Sequence, residues 1–587
     1  MTNFKTPGVY IQEISKLPAS VAPVATAIPA FVGYTAKNEK DGKTIPVNTP
    51  TRITSLLEFE EFFGGPFDEK LTVTLTGAST SETDTEIDVN ATGEVSPHTL
   101  YYHLQMFFGN GGGPCYIVSV GNFATDPVAA DIDVAELQAG VAALEKEDEV
   151  TLLVVPEAVT LSVANRRVIN DDILAQCTKL QDRFAMMDAK VLGGTTAADA
   201  SGFRGDVSSD NLKYGAAYYP DLITTLQIST SDASVAIDDN RTGGTFDALT
   251  IAAIANGTNV PVAATGTITV TTHTNLDGDT ITVNGQAFTG TAADDTGTNF
   301  SVAAGAASTA ENILQALNRH ADGDYSASRT GAVITIVATT AGAAGNSIDL
   351  SYTDGGSGVG ASVSGATLTG GSDGLAPDKT LYNNIIAAIN QKFKVILPPA
   401  ATMTGVFARV DSQRGVWKAP ANVGVRLVRE PSVLVTNEEQ ELFNIDATSG
   451  KSINVIRSFQ GRGVIVWGAR TLAGNDNEWR YVPVRRLYIF LEESIKKATE
   501  FVVFEPNDAN TWLRMKTMIE NFLTQQWRDG ALAGAVPEDA FFVKVGLGET
   551  MTAVDILEGR MNVEIGLAAV RPAEFIILKF SHKLQES

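Results

Sequence analysis

The sequence is poor in the residues that build metal and redox sites. Only two of its 587 residues are cysteine, Cys115 and Cys177, and only five are histidine. Both cysteines lie in apolar, periodic segments without a CxxC pair, so a disulfide framework is excluded and two buried thiols are expected. The histidines show no HExxH or paired spacing. We therefore expect no metal ion and no cofactor.

Long hydrophobic runs are also missing. No stretch approaches the ~18 consecutive apolar residues that a membrane-spanning helix needs. The first residues, MTNFKTPGVYIQEI, contain no basic region followed by an apolar one. The sequence thus predicts no membrane insertion, no secretion signal and folding in the cytosol. The apolar fraction of 44% is nevertheless ordinary for a globular protein.

Basic residues are outnumbered, 43 against 68 acidic ones, which gives a formal net charge of −25. An acidic surplus repels phosphate, which argues against direct contact with nucleic acid or an anionic membrane. Residues 400–587 are almost neutral, with 22 basic and 23 acidic residues, and they contain all five tryptophans. Because Arg, Trp and Tyr are typical of buried contacts between proteins, the last third is predicted to pack against neighbours.

Alternation of helical and strand-like segments predicts the fold class. Between residues 100 and 219, helices alternate with the apolar strands CYIVSV, TLLVVP, FAMMD and YGAAYYP. This pattern predicts an α/β core, a parallel sheet with helices on both faces. Near the end, TWLRMKTMIENFLTQQWRDG predicts an amphipathic helix that stops at Gly530, followed by the strand-like runs AFFVKV, RMNVEIGLAAV and AEFIILKF. This part is predicted to be α+β.

Composition divides the chain into four predicted parts. Residues 1–25 are an extended N-terminal arm, because the prolines among the first 35 residues prevent a helix and leave pairing only at a sheet edge. Residues 26–224 and 376–400 form the α/β core, with a surface excursion at 68–98. Residues 225–375, rich in Thr, Gly and Asp, form an inserted, mostly-β outer lobe joined by two chain crossings. Residues 401–587 form the C-terminal domain.

Three short motifs resemble functional sites but lack a required residue. TSGKS, at residues 448–452, would need a glycine at the position of Ile445 to wrap a phosphate. GGSDG, around Ser372, is followed by a single histidine, His582, for a hydrolase triad. DGD, at Asp277–Asp279, lacks the glutamate of a calcium loop and predicts a hairpin turn. We therefore expect no catalytic residues and no enzyme activity.

Arginines and tryptophans are concentrated between residues 409 and 486. Buried arginine needs carboxylate or carbonyl partners, so this density predicts a paired polar network within or between subunits. A solvated basic face is the alternative. The predicted network comprises Arg409, Asp411, Arg414, Trp417, Arg462, Trp467, Arg470, Trp479, Arg485 and Arg486.

These stretches also carry a family resemblance. TPGVYIQEI, EFEEFFGG, FFGNGGGPCYIVSV, ARVDSQRGVWKAPAN, GRGVIVWGARTL, WRYVPVRRLYIFLEESI, FEPNDANTWLRM and RPAEFIILKF occur in this order. They resemble the tail sheath proteins of contractile-tailed bacteriophages and the related sheaths of contractile injection machines, outside residues 225–375. The resemblance implies a subunit that polymerises as a helical sleeve around an inner tube. The sleeve contracts to drive the tube through a cell envelope.

The resemblance further implies how subunits are linked. The N-terminal arm of one subunit and the C-terminal strand of another add to the C-terminal sheet of a third, a heterologous contact that propagates as a helix. The residues expected to carry this exchange are Val9, Tyr10, Ile11, Phe575, Ile576, Ile577, Leu578 and Phe580.

Partners and location follow from the same resemblance. The implied partners are further copies of the chain, the inner tail tube protein, and baseplate and tail terminator proteins. The implied location is the tail of a virion, after assembly in the host bacterial cytoplasm. The sequence leaves open whether the particle is a phage tail, an injection system or a bacteriocin. A secreted adhesin and a hydrolase are more remote alternatives.

Overall fold

The computed structural model describes residues 21–257, 261–321, 323–371, 373–374 and 376–579. Within these ranges, no helix combines the length and the apolar character needed to cross a membrane. The helices are α1 Leu56–Phe63, α2 Leu100–Gly109, α3 Val134–Ala143, α4 Val163–Leu180, α5 Thr196–Gly205, α6 Ile251–Asn256, α7 Ala306–His320, α8 Lys379–Lys392, α9 Ala400–Arg414, α10 Asn437–Asn444, α11 Val482–Thr499, α12 Ala509–Arg528, α13 Pro537–Ala540 and α14 Ala553–Leu557.

The strands follow the same chain order. They are β1 Pro29–Thr35, β2 Glu39–Lys40, β3 Lys43–Thr44, β4 Thr51–Ile53, β5 Leu71–Thr76, β6 Glu86–Ala91, β7 Cys115–Asn122, β8 Leu152–Val154, β9 Phe184–Asp188, β10 Gly215–Tyr219, β11 Leu222–Gln227, β12 Val235–Asp239, β13 Thr265–Val270, β14 Thr280–Val283, β15 Gln286–Thr291, β16 Asn299–Ser301, β17 Tyr325–Thr330, β18 Val333–Ala338, β19 Leu350–Thr353, β20 Ala361–Val363, β21 Lys394–Leu397, β22 Val428–Pro431, β23 Asn454–Phe459, β24 Gly463–Val466, β25 Phe541–Lys544 and β26 Glu564–Leu567.

The chain divides into two compact units. The first contains the residues up to Glu69, Gly93–Ser229, and the residues from Phe393 onward, and the second contains Lys70–Thr92 and Thr230–Lys392. The chain therefore passes between the units four times, and not twice as an insertion at 225–375 would require. The reason is strand pairing: β5 and β6, in the excursion predicted at 68–98, form one sheet with β12.

An eight-stranded sheet organises the first unit. Its order is β24-β23-β10-β9-β8-β1-β7-β4, with the six strands from β23 to β7 parallel and an antiparallel strand at each edge. Helices cover both faces of this sheet. Neighbouring residues of β1 point to opposite faces and therefore contact different helices. The ring of Phe31 lies 5.2 Å from Phe107 of α2, whereas Val32 approaches Gly140 of α3. This is the α/β architecture predicted from the sequence.

Four strands differ from the sequence expectation in their sheet or in their position within it. The prediction that the first 35 residues pair only at a sheet edge is wrong for β1, which lies between β7 and β8. Its only proline, Pro29, is the first residue of the strand, where the missing N–H is tolerated. The strands β23 and β24, assigned by sequence to the C-terminal domain, extend the central sheet. The strand β21 has the sequence KVIL and lies in residues 376–400, which were assigned to the α/β core. It joins β11 and β22 in an antiparallel sheet and not the central sheet.

Helix boundaries follow local capping. The helix α1 begins after Ser55, whose side chain accepts the Glu58 N–H, and ends at Gly64 with φ of 82°. The spacing of apolar residues in this segment predicts that Leu57 faces inward, but Leu57 is exposed. Farther along, hydrophobic periodicity predicts a helix from Asp171, whereas α4 begins eight residues earlier because Ser162 caps it. Local hydrogen bonding thus overrides the start that hydrophobic periodicity suggested.

The helix α9 is held at its N-terminus by a residue far away in sequence. Pro399 contributes no side-chain cap. Instead Asp188, the last residue of β9, accepts the N–H of Ala400 at 2.6 Å. Burial raises the pKa of Asp188 well above its ordinary value. This contact ties α9 directly to the central sheet.

The second unit contains the predicted β strands. The strands β12, β5 and β6 form a three-stranded sheet against which α6 and α8 pack. Two four-stranded sheets, β17-β18-β13-β20 and β16-β15-β14-β19, enclose an apolar core together with α7. We call these two sheets and α7, residues 265–369, the β body. Its first and last residues are neighbours, because Thr265 donates its N–H to the carbonyl of Thr369 at 2.8 Å.

A pH dependence is expected at Asp221, which directly precedes β11. Burial raises the pKa of Asp221 from 3.8 to about 6. A carboxyl that binds its proton more tightly in the folded chain stabilises the fold below its unfolded pKa, and this contribution is lost as the pH rises through about 6. We expect Asp221→Asn to raise the melting temperature relative to the parent at pH 7.5. The corresponding gain in the free energy of unfolding is at most about 3 kcal/mol.

The measurement is thermal unfolding of parent and variant at pH 7.5 and pH 4. The advantage of the variant shrinks at the lower pH, because the parent carboxyl is then protonated in the folded chain and about half protonated in the unfolded chain. An advantage of equal size at both pH values contradicts the assignment.

Candidate assembly surface

The C-terminal part of the first unit is built on two long helices. The apolar faces of α11 and α12 pack together with residues such as Leu487, Leu491, Ile519 and Leu523. The helix α12 begins after Asp508, which accepts the Thr511 N–H, and is followed by the turn at Gly530. The predicted stripe of Met515, Ile519, Phe522 and Gln526 is buried, and Trp512 is half-buried. The amphipathic helix predicted from the sequence is confirmed.

The strands β25 and β26 form a two-stranded antiparallel sheet beside these helices. They pair from Phe541 opposite Leu567 to Lys544 opposite Glu564. Within the part of the chain that the structure describes, neither strand pairs with a third. The Leu567 carbonyl accepts the Tyr488 hydroxyl at 3.0 Å, and Ala569, just past β26, forms an isolated bridge with Leu532. The rest of the two outer edges has no strand partner in the described ranges and can accept a strand from another chain.

Exposed apolar side chains are concentrated around this sheet. Of the 27 large hydrophobic residues that are exposed in the described ranges, 12 lie between Val503 and Leu578. Phe504 is wholly exposed and has a φ of 69°, which is a left-handed conformation that costs a bulky residue free energy. Leu557, on α14, is 87% exposed. Such a concentration is typical of a surface that another protein covers.

The predicted exchange residues lie partly in this region. Residues 571–579 have no regular secondary structure. Phe575, Ile576, Ile577 and Leu578 are 68–80% exposed. Val9, Tyr10, Ile11 and Phe580 lie outside the described residues. Strand exchange itself therefore stays a prediction.

Glu574 holds the chain directly before these exposed residues. Its carboxylate accepts hydrogen bonds from Nη2 and Nε of Arg470 at 2.7 and 2.9 Å. Asn444 and the hydroxyl of Tyr481 donate to the same carboxylate at 2.9 and 3.0 Å. Burial favours the neutral acid, but these donors outweigh it and lower the pKa of Glu574. Arg470 is buried, as the predicted network requires.

A second arginine holds the residues before β1. Arg486 donates to Asp411 from Nη1 and Nη2 at 3.0 and 2.5 Å. Its Nη2 also donates to the carbonyl of Thr26 at 2.8 Å, and the Thr26 hydroxyl donates to Asp411 at 2.7 Å. The guanidinium lies 4.5 Å from the ring of Phe407 on α9. The side chains of both partners are buried, since that of Arg486 is 3% exposed and that of Asp411 is 6% exposed.

The neighbouring Arg485 is held mainly by aromatic rings. Its guanidinium lies 4.5 Å from the ring of Trp479 and 4.7 Å from that of Tyr214. Its Nη2 donates to Glu492 at 2.9 Å. Successive residues of α11 thus point to different partners, one toward α9 and one toward Tyr214 beside the central sheet.

The remaining predicted network residues lie at the surface or near it. Arg409 donates to the carbonyl of Gly424, and Arg462 is exposed near Phe459. Arg414, Trp417 and Trp467 line a cleft of about 830 Å³, which Glu574 also lines. The predicted residues therefore form several separate sites and not one continuous network.

Sequence reasoning included Asp411, the partner of Arg486, but missed the other groups that hold the buried arginines and their partners. Glu574, Thr26, Asn444 and Tyr481 were not singled out. For Glu574 a signal existed, because it is the only acidic residue in the apolar run RPAEFIILKF. A single carboxylate in such a run needs a buried partner or an exposed turn.

The motifs set aside in the sequence have structural roles where they are described. Lys451 of TSGKS is buried and donates to the carbonyls of Arg204 and Val207 at 2.8 and 2.5 Å. Asp279 is fully buried and accepts the N–H of Gly355 at 2.8 Å. Ser372 lies outside the described residues. Cys115 and Cys177 are free, buried thiols, as predicted.

Comparison with known proteins gives two family matches. Residues 237–472 match the phage tail sheath protein central domain, and residues 474–583 match the phage tail sheath C-terminal domain. Together the two ranges cover more than half of the chain. The first range extends through most of residues 225–375, which the motif resemblance had left out.

Individual relatives agree with these matches. A tail sheath protein of Vibrio phage KVP40 is 27% identical over 128 residues, 22% of this chain and 19% of that protein, so the alignment spans about a fifth of the curated relative. The helical sheath of the anti-feeding prophage in the contracted state has 26% identity and a TM-score of 0.52, covering 99% of this chain and 100% of that one. The PVC sheath complex of an extracellular contractile injection system, also contracted, has 25% identity and a TM-score of 0.51, covering 100% and 99%.

The buried pair of Arg486 and Asp411 gives a stability prediction. Arg486→Met leaves the carboxylate of Asp411 buried without its cation, which we expect to cost about 3–5 kcal/mol. The double variant Arg486→Met with Asp411→Leu recovers a large part of this loss, because no buried charge remains. Thermal unfolding of the parent, both single variants and the double variant measures the difference. Additive losses contradict the pairing.

Proposed function

The chain belongs to the phage tail sheath protein family, and we propose that it is the structural subunit of a contractile tail sheath. It polymerises as a helical sleeve around an inner tube. Contraction of the sleeve drives the tube through the envelope of a target cell. The protein acts mechanically and is not an enzyme.

The observation that carries this proposal is the combination of an acceptor and a donor on one chain. The outer edges of β25 and β26 have no strand partner in the described structure, and the apolar residues Phe575–Leu578 are exposed outside any strand. An extended segment that adds to a sheet edge gains main-chain hydrogen bonds, and alternate side chains set its register. Because donor and acceptor are different surfaces, the contact is heterologous and propagates along a helix.

The partners follow from this role. They are further copies of the chain, an inner tail tube protein, and baseplate and tail terminator proteins. The subunit is placed in the tail of a virion after assembly in the host bacterial cytoplasm. Its near-neutral last third faces the tube and neighbouring subunits, while the acidic β body faces solvent.

A closely related second candidate is the sheath of a phage-like injection system. It is favoured by the two injection-type sheath structures, whose likeness covers 99–100% of this chain, whereas the phage relative aligns with 22% of it. Purified particles distinguish the two, because a phage carries a DNA-filled head and an injection particle does not.

The strand-exchange prediction is tested at Ile577. Its side chain is 80% exposed, so Ile577→Asp leaves the monomer folded, with an unchanged melting temperature. A charge in an exchanged apolar strand is expected to reduce sleeve formation about tenfold or more. Sleeves are counted by negative-stain electron microscopy of the purified protein. The matched control, Ile577→Val, keeps a β-branched apolar residue and assembles like the parent. Normal sleeves from Ile577→Asp contradict strand exchange.

The outward position of the β body is tested by excision. Residues 265–369 contain nine acidic and two basic residues. Since their ends are hydrogen-bonded neighbours, a short Gly-Ser linker can replace them without stretching the chain. We expect the shortened protein to form sleeves of smaller outer diameter and unchanged inner diameter. Loss of sleeves from a folded, soluble monomer contradicts this placement.

A further inference from the structure

A contact between a buried arginine and a carboxylate, here termed a device, holds each of the two segments that lead to the exchanged arms. Before β1, Thr26 is bound by the buried pair of Arg486 and Asp411. At the other end, Glu574 is bound by buried Arg470 directly before the exposed residues 575–578. Each device is a two-point contact between a guanidinium and a carboxylate, which fixes orientation as well as distance.

Glu574 is the last fixed point of the C-terminal segment. Within the residues that the structure describes, no hydrogen bond is recorded for residues 575–579, and Glu574 has donors from three separate parts of the chain. Asn444 ends α10, Arg470 follows β24, and Tyr481 precedes α11. The exit of the segment is therefore set by these parts and not by the sheet of β25 and β26.

Each device is connected to the central sheet. Asn454 of β23 accepts the Arg470 N–H at 2.7 Å and donates to the Arg470 carbonyl at 2.8 Å. Asp411 belongs to α9, whose N-terminus is bonded to Asp188 of β9. Force applied to either arm is therefore transmitted to the central eight-stranded sheet.

We propose that these pairs are positioning residues: Glu574 with Arg470 sets where and in which direction the C-terminal arm leaves the subunit, and Asp411 with Arg486 positions the residues from which the N-terminal arm extends. Farther toward the N-terminus, the Val24 N–H donates to the Ser494 hydroxyl at 3.2 Å and Val21 is buried in the apolar core of α11 and α12, so Asp411 with Arg486 acts together with these contacts. The inference rests on the proposed sheath function.

The role of the two pairs differs from that of an ordinary internal ion pair. Arg166 with Asp206 is also a buried pair but binds within the body of the core, where Arg166 donates to the carbonyl of Leu161 as well.

The C-terminal device is tested with Glu574→Gln, which keeps the side-chain shape and removes the charge. A spin label at Ile577→Cys reports the segment in the monomer, because both native thiols are fully buried and do not react. We expect Glu574→Gln to make the label more mobile. In the unlabelled protein with native Ile577, we expect sleeve yield per folded monomer to fall about tenfold.

The matched control is Asp206→Asn, the same chemical change in a buried pair remote from the arms. It lowers the melting temperature but leaves label mobility and sleeve yield per folded monomer unchanged. If Glu574→Gln leaves either readout at the parental value, the C-terminal assignment is overturned. If the parent itself forms no sleeves, the proposed function fails, and the mobility comparison still reports on the contact.

The N-terminal device is tested with Thr26→Val, which removes the hydroxyl bond to Asp411 at nearly constant volume. Its control is Thr404→Val on α9, whose hydroxyl donates only to the carbonyl of Ala401 in the same helix. We expect a lower sleeve yield for Thr26→Val than for Thr404→Val at equal folded concentration. Equal yields overturn the N-terminal assignment.

Discussion

Backbone hydrogen bonding is the constraint on which the assembly depends. Six parallel strands of the central sheet satisfy one another and are protected by helices on both faces. The pair β25–β26 is different, since each strand has an outer edge without a strand partner in the described ranges. Polar backbone groups at a sheet edge are satisfied by water or by another strand. The proposed sleeve uses that requirement, and the exposed apolar residues nearby supply the burial that makes association favourable.

The sequence predicted elements well where a local pattern was sufficient. The stripe on α12, the apolar strands β7, β9 and β10, and the turn at Gly530 all follow from short-range periodicity and stop signals. Sheet membership was harder. The strand β23 pairs with β10, more than 200 residues earlier, and β12 pairs with β5, 164 residues earlier. No local pattern records such a partner, so the division into domains was the least accurate part.

The polar contacts show the same limit in chemical form. A high density of arginine predicts that buried ion pairs exist, because an unpaired buried guanidinium is too costly. It does not predict which carboxylate is used. Arg486 pairs with Asp411 and Arg470 with Glu574, at separations of 75 and 104 residues. The predicted network was therefore chemically sound for three of its arginines but gave the wrong picture of a single cluster.

The adjacent ends of the β body have an evolutionary consequence. A folded segment whose first and last strands are bonded to each other, as at Thr265 and Thr369, imposes only the constraint of a short loop on the chain that carries it. Because its apolar core is made from its own strands and α7, it has little need of its host for stability. Such a segment can be gained, lost or exchanged between lineages as a cassette. In the proposed sleeve, where this body lies outward, the surface is then free to diversify while the contacts between subunits stay constant.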